Sequence, residues 1–343
     1  MSKVAIGIGV VVATALAASA PAVAKDTLTA VTALQTNNTM SQSFLLQFAA
    51  PVNKAANGIK ISYIGGQEVV PPNKAAGALQ RGQFDMLHSP SSYYIGTVPE
   101  AQAVLAGNQG PSALRSNGGW KLLQEIWEKK AGAYLLAWGE SMTSYNMYLA
   151  KKPPMKDGLP DLTGFKMRAT GTYRPLFRAL GATTVNIKSS EVINAVQRGT
   201  VDGFGFTDQP TSVGYQEIIK FRVLPNFYQT NTFITVNVAA WKALSQKQRD
   251  FLEAAGKEYE TKSVLYSEDV RLADEAVLKK AGVQDIVLQG DAARRYVDIA
   301  HEEAWKEVAK RSDNAEKLRP YLYIPGKPTW QVDAATLKAR HRQ

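Results

Sequence analysis

The alternation of apolar and polar positions between Leu162 and Phe206 predicts strands and helices in the order β-α-β-α-β. A short strand ends at Arg168, and the helical pattern after it stops at Gly181, as helices do when glycine takes the left-handed position past their end. A helix from Ser189 or Ser190 and a further strand complete the unit. Open α/β sheets bind ligands at the carboxyl ends of their strands, so Arg168 is the first candidate binding residue.

The chain before this unit shows the same alternation. A strand over residues 26–34, an amphipathic helix over 41–56 and a strand over 59–64 are predicted. The paired glycines that follow allow a sharp turn, which leaves Gln67 and Glu68 at a strand end.

A strand predicted over residues 84–87 opens into a loop rich in hydroxyl and aromatic side chains, from His88 to Tyr94. The loop is a candidate site, and it is equally compatible with an ordinary turn because Ser and Pro are common turn residues. Its candidate binding residues are Ser89, Ser91, Tyr93 and Tyr94.

Two short segments echo each other. Residues 78–85 and 195–202 share the pattern A-x-Q-R-G-x-x-D, and each predicts a helix that ends at glycine before a strand. The match is short, but it agrees with two α/β lobes of similar build.

The longest helical pattern begins at Ser245 and runs to Lys280, before Gly282. A helix of that length fits a spine across two lobes better than an element of one lobe. Residues 101–119, which are rich in Gly and Pro, and the segment from Pro320 onward predict irregular structure.

The N-terminus indicates export. Lys3, an apolar run from Val4 to Ala18 and Ala22-Val23-Ala24 are typical of a secretory signal cleaved before Lys25. The run is shorter than the roughly 20 residues that span a bilayer, and an uncleaved anchor is the less favoured alternative.

Composition excludes several classes of function. The 343 residues contain no Cys, so no disulfide or thiolate metal site can form. The net charge of +10 comes from scattered Lys and Arg rather than a basic tract, which argues against nucleic acid and favours a field that attracts small anions. The three His do not stand at metal-ligand spacing, so no metal or cofactor is predicted.

Catalytic motifs fail at identifiable positions. The stretch Gly139 to Thr143 imitates a nucleophile elbow but has Thr143 in place of the last glycine. His301-Glu302-Glu303 lacks the second His of a metalloprotease helix, and no glycine loop cradles a phosphate at a helix start. The sequence predicts binding rather than catalysis.

Three motifs carry a family resemblance: L-x-G-x-K-M-R at residues 162–168, A-L-G-A at 179–182 and S-E-V-x-x-A-V-Q-x-G-x-V-D-G at 190–203. Their order resembles the DctP-type solute-binding proteins of tripartite ATP-independent periplasmic (TRAP) transporters. Shorter matches at residues 65–67, 78–82 and 240–245 extend the resemblance over most of the chain after the signal.

The resemblance implies an α/β protein with the two-lobed periplasmic binding protein fold, hinge strands and a long lobe-spanning helix. The expected division is a signal peptide (1–24), lobe I (25–146 plus about 232–275), lobe II (147–231 plus about 276–320) and a C-terminal tail (321–343).

The resemblance also implies that Arg168 holds the ligand's carboxylate. A guanidinium offers paired donors in the plane that a carboxylate accepts, and it stays charged when buried. The alternative is a strand arginine in an ordinary surface ion pair.

Two departures from the family pattern bear on specificity. Phe204 and Phe206 stand where many members are polar, and Phe206 takes the place of a frequent ligand-binding Asn; a second Arg near Tyr145 is also missing. With Tyr93, Tyr94 and Trp138 also near strand ends, we expect a monocarboxylate with an apolar or aromatic body, unless these aromatics pack in the core. The side chains expected to hold a hydroxyl or amine of the ligand are Glu68, Glu140, Asp208 and Gln209.

The resemblance implies a monomeric, non-catalytic receptor in the periplasm that passes an organic acid to a TRAP membrane permease. Two alternatives stay open at this point. One is an exported α/β enzyme that acts on a carboxylic acid, and the other is a ligand-sensing adaptor.

Overall fold

The computed structural model describes Met1, residues 25–141 and residues 143–325. Apart from Met1, the predicted signal peptide lies outside the described residues, as does most of the predicted tail. In the described part of the chain, no helix combines the length and the apolar character that crossing a bilayer requires.

The described residues form thirteen strands, numbered in chain order. They are β1 (Thr27–Thr32), β2 (Lys60–Gly65), β3 (Met86–Pro90), β4 (Ala133–Gly139), β5 (Ser144–Leu149), β6 (Met155–Lys156), β7 (Leu159–Pro160), β8 (Lys166–Arg168), β9 (Thr183–Val185), β10 (Gly203–Thr207), β11 (Phe221–Gln229), β12 (Thr232–Asn237) and β13 (Gln284–Val287).

Twelve α-helices lie in the same residues, and α1 continues into α2 through a wider π-turn at Leu45–Ala49. They are α1 (Thr39–Phe44), α2 (Ala50–Lys54), α3 (Pro72–Gln80), α4 (Ala101–Ala106), α5 (Pro111–Asn117), α6 (Gly119–Ala131), α7 (Arg174–Ala179), α8 (Val192–Gln197), α9 (Val238–Ala243), α10 (Gln246–Lys280), α11 (Gly290–Ala309) and α12 (Ala315–Leu322).

The strands form two large sheets of related topology. The first sheet has the order β2-β1-β3-β12-β4, and the second has β9-β8-β10-β5-β11-β13. In each, the first three strands pair in parallel and the fourth is antiparallel to the third. The predicted β-α-β-α-β unit is therefore confirmed, and the same arrangement occurs in both sheets.

Two short crossings take the chain from one sheet to the other. It leaves β4 at Gly139 and enters β5 at Ser144, and it returns between the end of β11 and the start of β12. The two crossings touch, because the N–H of Thr230 donates to the carbonyl of Thr143 at 2.6 Å.

Helix α10 is a third connection, and its predicted length is confirmed. A capping box between Ser245 and Gln248 begins it, and Gly282, at φ 76°, follows its end. Near its start Gln248 donates to backbone carbonyls beside the first sheet, while near its end Asp274 accepts from Thr211 beside the second. One helix thus braces both sheets.

Apolar side chains cover both faces of the sheets. One cluster continues from the first sheet to the second and includes Trp127, Met167 and Tyr296. Two further clusters fill the opposite faces, one under α1, α2 and α10 and the other under α8.

Three predictions of local structure are wrong. Residues 101–119 contain α4, α5 and the start of α6; Pro111, at the first helical position, suits a helix start because its missing N–H would have no partner there. Strand β3 extends to Pro90, three residues into the predicted loop. Helix α12 includes Pro320, and burial of Leu318 and Leu322 holds it in the core.

Candidate ligand-binding site

Arg168 is the last residue of β8, at the carboxyl end predicted for a binding residue, and its side chain is only 5% exposed. Its Nε donates to the carbonyl of Ile187 at 2.9 Å, and its Nη1 donates to the phenol oxygen of Tyr173 at 2.5 Å. These two bonds fix the plane of the guanidinium. They leave one N–H on Nη1 and both on Nη2 without a protein acceptor among the described residues.

Arg222 shows what a buried arginine with a structural role looks like in the same chain. It is 6% exposed and meets two carboxylates, Asp285 at 2.8 and 2.9 Å and Glu275 at 2.5 and 3.0 Å. In the described part of the chain no acid stands within ion-pair distance of Arg168. Because a buried charge without a counter-charge is costly, the Arg168 site favours an anion.

Four phenols lie within electrostatic reach of this guanidinium: Tyr173, which it bonds, and Tyr93, Tyr145 and Tyr215. Burial raises the pKa of Tyr93, and the positive charge of Arg168 offsets part of that rise. Burial, then the phenols of Tyr173 and Tyr93, raise the pKa of Tyr145. Tyr93 and Tyr145 are therefore neutral at physiological pH, and neither adds a negative charge that would repel a carboxylate.

The site draws on both sheets. Tyr93 lies in a 3₁₀ turn, Ser91–Tyr94, directly after β3 of the first sheet, whereas Arg168 and Tyr145 belong to the second. A further contact crosses the same gap, where Gln102 Nε2 donates to the carbonyl of Thr172 at 3.5 Å. The Arg168 site thus lies where elements of the two sheets approach each other.

Asp208 and Gln209 lie beside the crossings and are almost fully buried. The N–H of Ser144 donates to Asp208 Oδ2 at 3.0 Å, and burial raises the pKa of Asp208 to about 7. Its Oδ1 has no partner within the described residues. Gln209 donates to the carbonyl of Ser267 on α10, so its amide holds the segment after β10 to that helix.

Glu140 is fully buried within the first crossing, with φ at 54°. Its Oε1 accepts from Tyr259 of α10 at 2.9 Å, and His88 of β3 approaches its Oε2 at 3.9 Å. The backbone N–H of Glu140 donates to Ser263 at 3.0 Å. The contacts of Glu140 therefore join the crossing to α10 and to the first sheet.

Several predicted aromatic candidates pack in the core. Tyr94 donates to or accepts from Thr235 at 2.6 Å and lies on Trp127, while Trp138 packs edge-on against Phe233. Phe204 is buried against two tyrosines. Phe206 is only half-buried, and its ring meets Tyr215, one of the four phenols near Arg168.

The polar candidates of the first sheet are bound within their own turns. Glu68 is exposed, and the N–H of Gly66 donates to it and lowers its pKa; Gln67 beside it is half-buried. Ser89 and Ser91 are buried, and their hydroxyls donate to backbone carbonyls. Of the predicted candidates, Tyr93 and Tyr145 therefore lie within electrostatic reach of Arg168, and Phe206 packs on Tyr215. The remaining candidates lie in turns, beside the crossings or in the core.

Sequence reasoning missed Tyr173 and Tyr215. Tyr173 ends the Gly-Thr turn only five residues after Arg168, so its position in the strand-to-helix turn was a signal that could have found it. Tyr215 lies in a 3₁₀ turn after β10 and bonds Ser189 at 2.7 Å, a contact that no local pattern indicates. The described residues contain no group of three or more His, Cys, Asp or Glu arranged to hold a metal ion.

A family model described as bacterial extracellular solute-binding protein, family 7, matches residues 31–312. The chain belongs to this family. The resemblance to DctP-type proteins of TRAP transporters is thereby confirmed, and the family-7 chain is a solute-binding protein of an extracytoplasmic class.

Two relatives are similar to this family-7 protein in sequence. A solute-binding protein of Albidiferax ferrireducens is 25% identical over 284 residues, which cover 79% of this chain and 82% of the relative. A monocarboxylate 2-oxoacid-binding periplasmic protein of Nostoc sp. is 26% identical over 218 residues, which cover 60% and 59%.

Among solved structures, a TRAP periplasmic solute binding protein from Desulfovibrio salexigens with bound orotic acid superposes with a TM-score of 0.72. Its sequence identity is 18%, and the match covers 86% of this chain and 96% of that one. At this identity the likeness concerns the fold, and it confirms the two-lobed architecture predicted for the family-7 chain.

Proposed function

We propose that this protein captures an organic acid in the cleft between its sheets, with the carboxylate on the Nη1/Nη2 edge of Arg168. The observation that carries the proposal is a guanidinium 5% exposed with no carboxylate partner among the described residues. Nε donates to the carbonyl of Ile187 and one Nη1 proton is donated to Tyr173. The acid therefore binds the remaining protons of Nη1 and Nη2.

We further propose that the acid is a monocarboxylate with an apolar or aromatic body. The rings of Tyr93, Tyr145 and Tyr173 and the half-buried ring of Phe206 supply apolar surface around a single anchoring cation. The Nostoc relative is named for 2-oxoacid monocarboxylates and the Desulfovibrio structure holds orotic acid, which agrees with this class.

Binding and closure are coupled in this proposal. The ligand lies between Arg168 of one sheet and Tyr93 of the other, so it binds the closed arrangement better than an open one. In this proposal, residues 1–24 are removed after export, and the receptor works as a monomer in the periplasm. Its lobes divide at about residues 146, 231 and 275. It passes the acid to a TRAP permease in the membrane.

Isothermal calorimetry tests the anchor with pyruvate, benzoate, orotate and galacturonate. We expect Arg168→Ala to weaken binding of the best of these acids by more than tenfold, or 1.4 kcal/mol, because the counter-charge is lost. Arg198→Ala is the matched control, since Arg198 is exposed and its loss changes the net charge equally.

Two results would count against the proposal. Equal affinity of Arg168→Ala and Arg198→Ala would remove Arg168 as the anchor. Binding of galacturonate without binding of pyruvate, benzoate or orotate would retain an acid receptor but exclude the apolar body.

A further inference from the structure

The ring of Tyr173 lies directly on the backbone of β10 at Gly205. A Cβ placed on Gly205 would stand 2.6, 2.7 and 2.8 Å from three ring atoms of Tyr173. Such distances lie well below the 3.5–4.0 Å at which carbon atoms pack, so only glycine allows this approach.

The ring has little room to move aside. Tyr173 is 3% exposed, and its centroid lies 5.8 Å from that of Tyr145 and 5.5 Å from that of Phe177. A side chain at Gly205 would therefore push a packed aromatic ring rather than the end of a flexible chain.

The other end of the same ring holds the candidate anchor. The phenol oxygen of Tyr173 accepts from Arg168 Nη1 at 2.5 Å, while Ile187 accepts from Nε at 2.9 Å. With Nε held alone, the guanidinium could still turn its Nη1/Nη2 edge; the bond to Tyr173 fixes the direction in which that edge points.

We propose that Tyr173, seated on Gly205, is a positioning residue that sets the orientation of Arg168 toward the ligand's carboxylate. The pair also limits the space beside the anchor, so a side chain at position 205 changes both the direction of the guanidinium and the depth of the cleft. This inference rests on the proposed role of Arg168 as carboxylate anchor.

Tyr173→Phe is the sharpest test because it keeps the ring on Gly205 and removes only the phenol oxygen. We expect about tenfold weaker binding of whichever of pyruvate, benzoate and orotate binds the wild type best, with the charge of Arg168 unchanged. Tyr228→Phe is the matched control, because Tyr228 is also buried and its hydroxyl donates to the carbonyl of Ala300 at 2.7 Å, outside the site.

Gly205→Ala tests the contact between the Tyr173 ring and Gly205. We expect it to weaken binding at least as much as Tyr173→Phe does. Crystal structures of the two variants provide a readout without ligand. We expect the guanidinium of Arg168 to turn about its last side-chain bonds in Tyr173→Phe and the ring of Tyr173 to shift in Gly205→Ala. If Gly205→Ala does not fold, Tyr173→Phe alone decides.

The outcomes separate this inference from the proposed function. Loss of binding in Arg168→Ala with Tyr173→Phe equal to Tyr228→Phe overturns the positioning role and leaves the anchor. If Arg168→Ala binds normally, or no acid binds the wild type, the proposed function fails, and the crystal structure then decides only whether Tyr173 orients Arg168. A turned guanidinium in Tyr173→Phe supports that orienting role, and an unmoved one overturns it.

Discussion

Two arginines of this chain have almost the same burial and opposite surroundings. Arg222 is held by two carboxylates, whereas Arg168 is held by a carbonyl and a phenol. Sequence could single out Arg168 because strand-end position and family motif coincide there. It could not predict Tyr173 on Gly205, because that contact depends on how the turn after β8 folds back onto β10.

Asp208 carries a pH prediction at the residue scale. Burial raises its pKa to about 7, well above the value near 4 of an unfolded chain. Folding therefore favours the protonated carboxyl between these values, so stability is fully present below about pH 4 and falls as pH rises through about 7. We expect the melting temperature of the wild type to drop between pH 5 and pH 8.

Asp208→Asn should reduce that drop, because the amide stays neutral and its oxygen still accepts from Ser144. The variant should already be slightly the more stable at pH 5, and the difference should widen to a few kcal/mol at pH 8. Asp161→Asn is the control, since hydrogen bonds from Thr163 lower the pKa of exposed Asp161, which is thus ionised throughout the range. Parallel melting curves for all three proteins would refute a titrating Asp208.

At the scale of elements, the two A-x-Q-R-G-x-x-D segments have the same structural role in both sheets. Each helix ends before a glycine with φ near 70°, and the Asp then binds the backbone of the neighbouring strand. The N–H of Thr29 donates to Asp85 and that of Lys166 donates to Asp202, both at 2.8 Å. The short sequence echo thus marked a real structural repeat.

The repeated aspartates predict matched losses of stability. Asp85→Ala and Asp202→Ala should each lower the free energy of unfolding by about 1–3 kcal/mol, because each leaves a strand N–H without its charged acceptor. Urea unfolding measures both, with Asp313→Ala as an exposed control. A loss in only one of the two variants would show that the segments are similar in shape but not in energetic role.

Local sequence patterns did not predict how two of the strands pair. Strands β5 and β12 lie antiparallel to β10 and β3, and each enters its sheet by a crossing from the other. Periodicity identified both strands, but their partners lie about 60 and 140 residues away in the sequence. Such pairings are decided by tertiary packing rather than by propensity.

For the whole molecule, sequence predicted two α/β lobes and a long helix, and the structure adds how they meet. Glu140 joins the first crossing to α10 through Tyr259, and Gln209 joins the segment after β10 to α10 through the carbonyl of Ser267. Local sequence patterns do not indicate these contacts, because they join elements that lie far apart in the sequence. These two residues were predicted as ligand contacts, and their observed partners place both against α10.

Tyr93 carries the last prediction, which concerns closure. It is the phenol that the first sheet brings into the electrostatic reach of Arg168, so removing it should weaken the bridge between the sheets while leaving the anchor. In the proposed function, Tyr93→Phe should cost about tenfold in affinity for the best acid, as expected for a hydrogen bond to a charged group. Most of that loss should appear as faster dissociation, because the closed state is less favoured.

Small-angle scattering then reports on closure itself. Saturating pyruvate, benzoate or orotate should reduce the radius of gyration of the wild type, and at equal saturation Tyr93→Ala should contract less, because the bound acid no longer touches the first sheet through this ring. Tyr321→Ala, at a partly exposed tyrosine of α12, should behave as wild type. Full contraction of the saturated Tyr93→Ala protein would mean that closure depends on other contacts, such as that between Gln102 and Thr172.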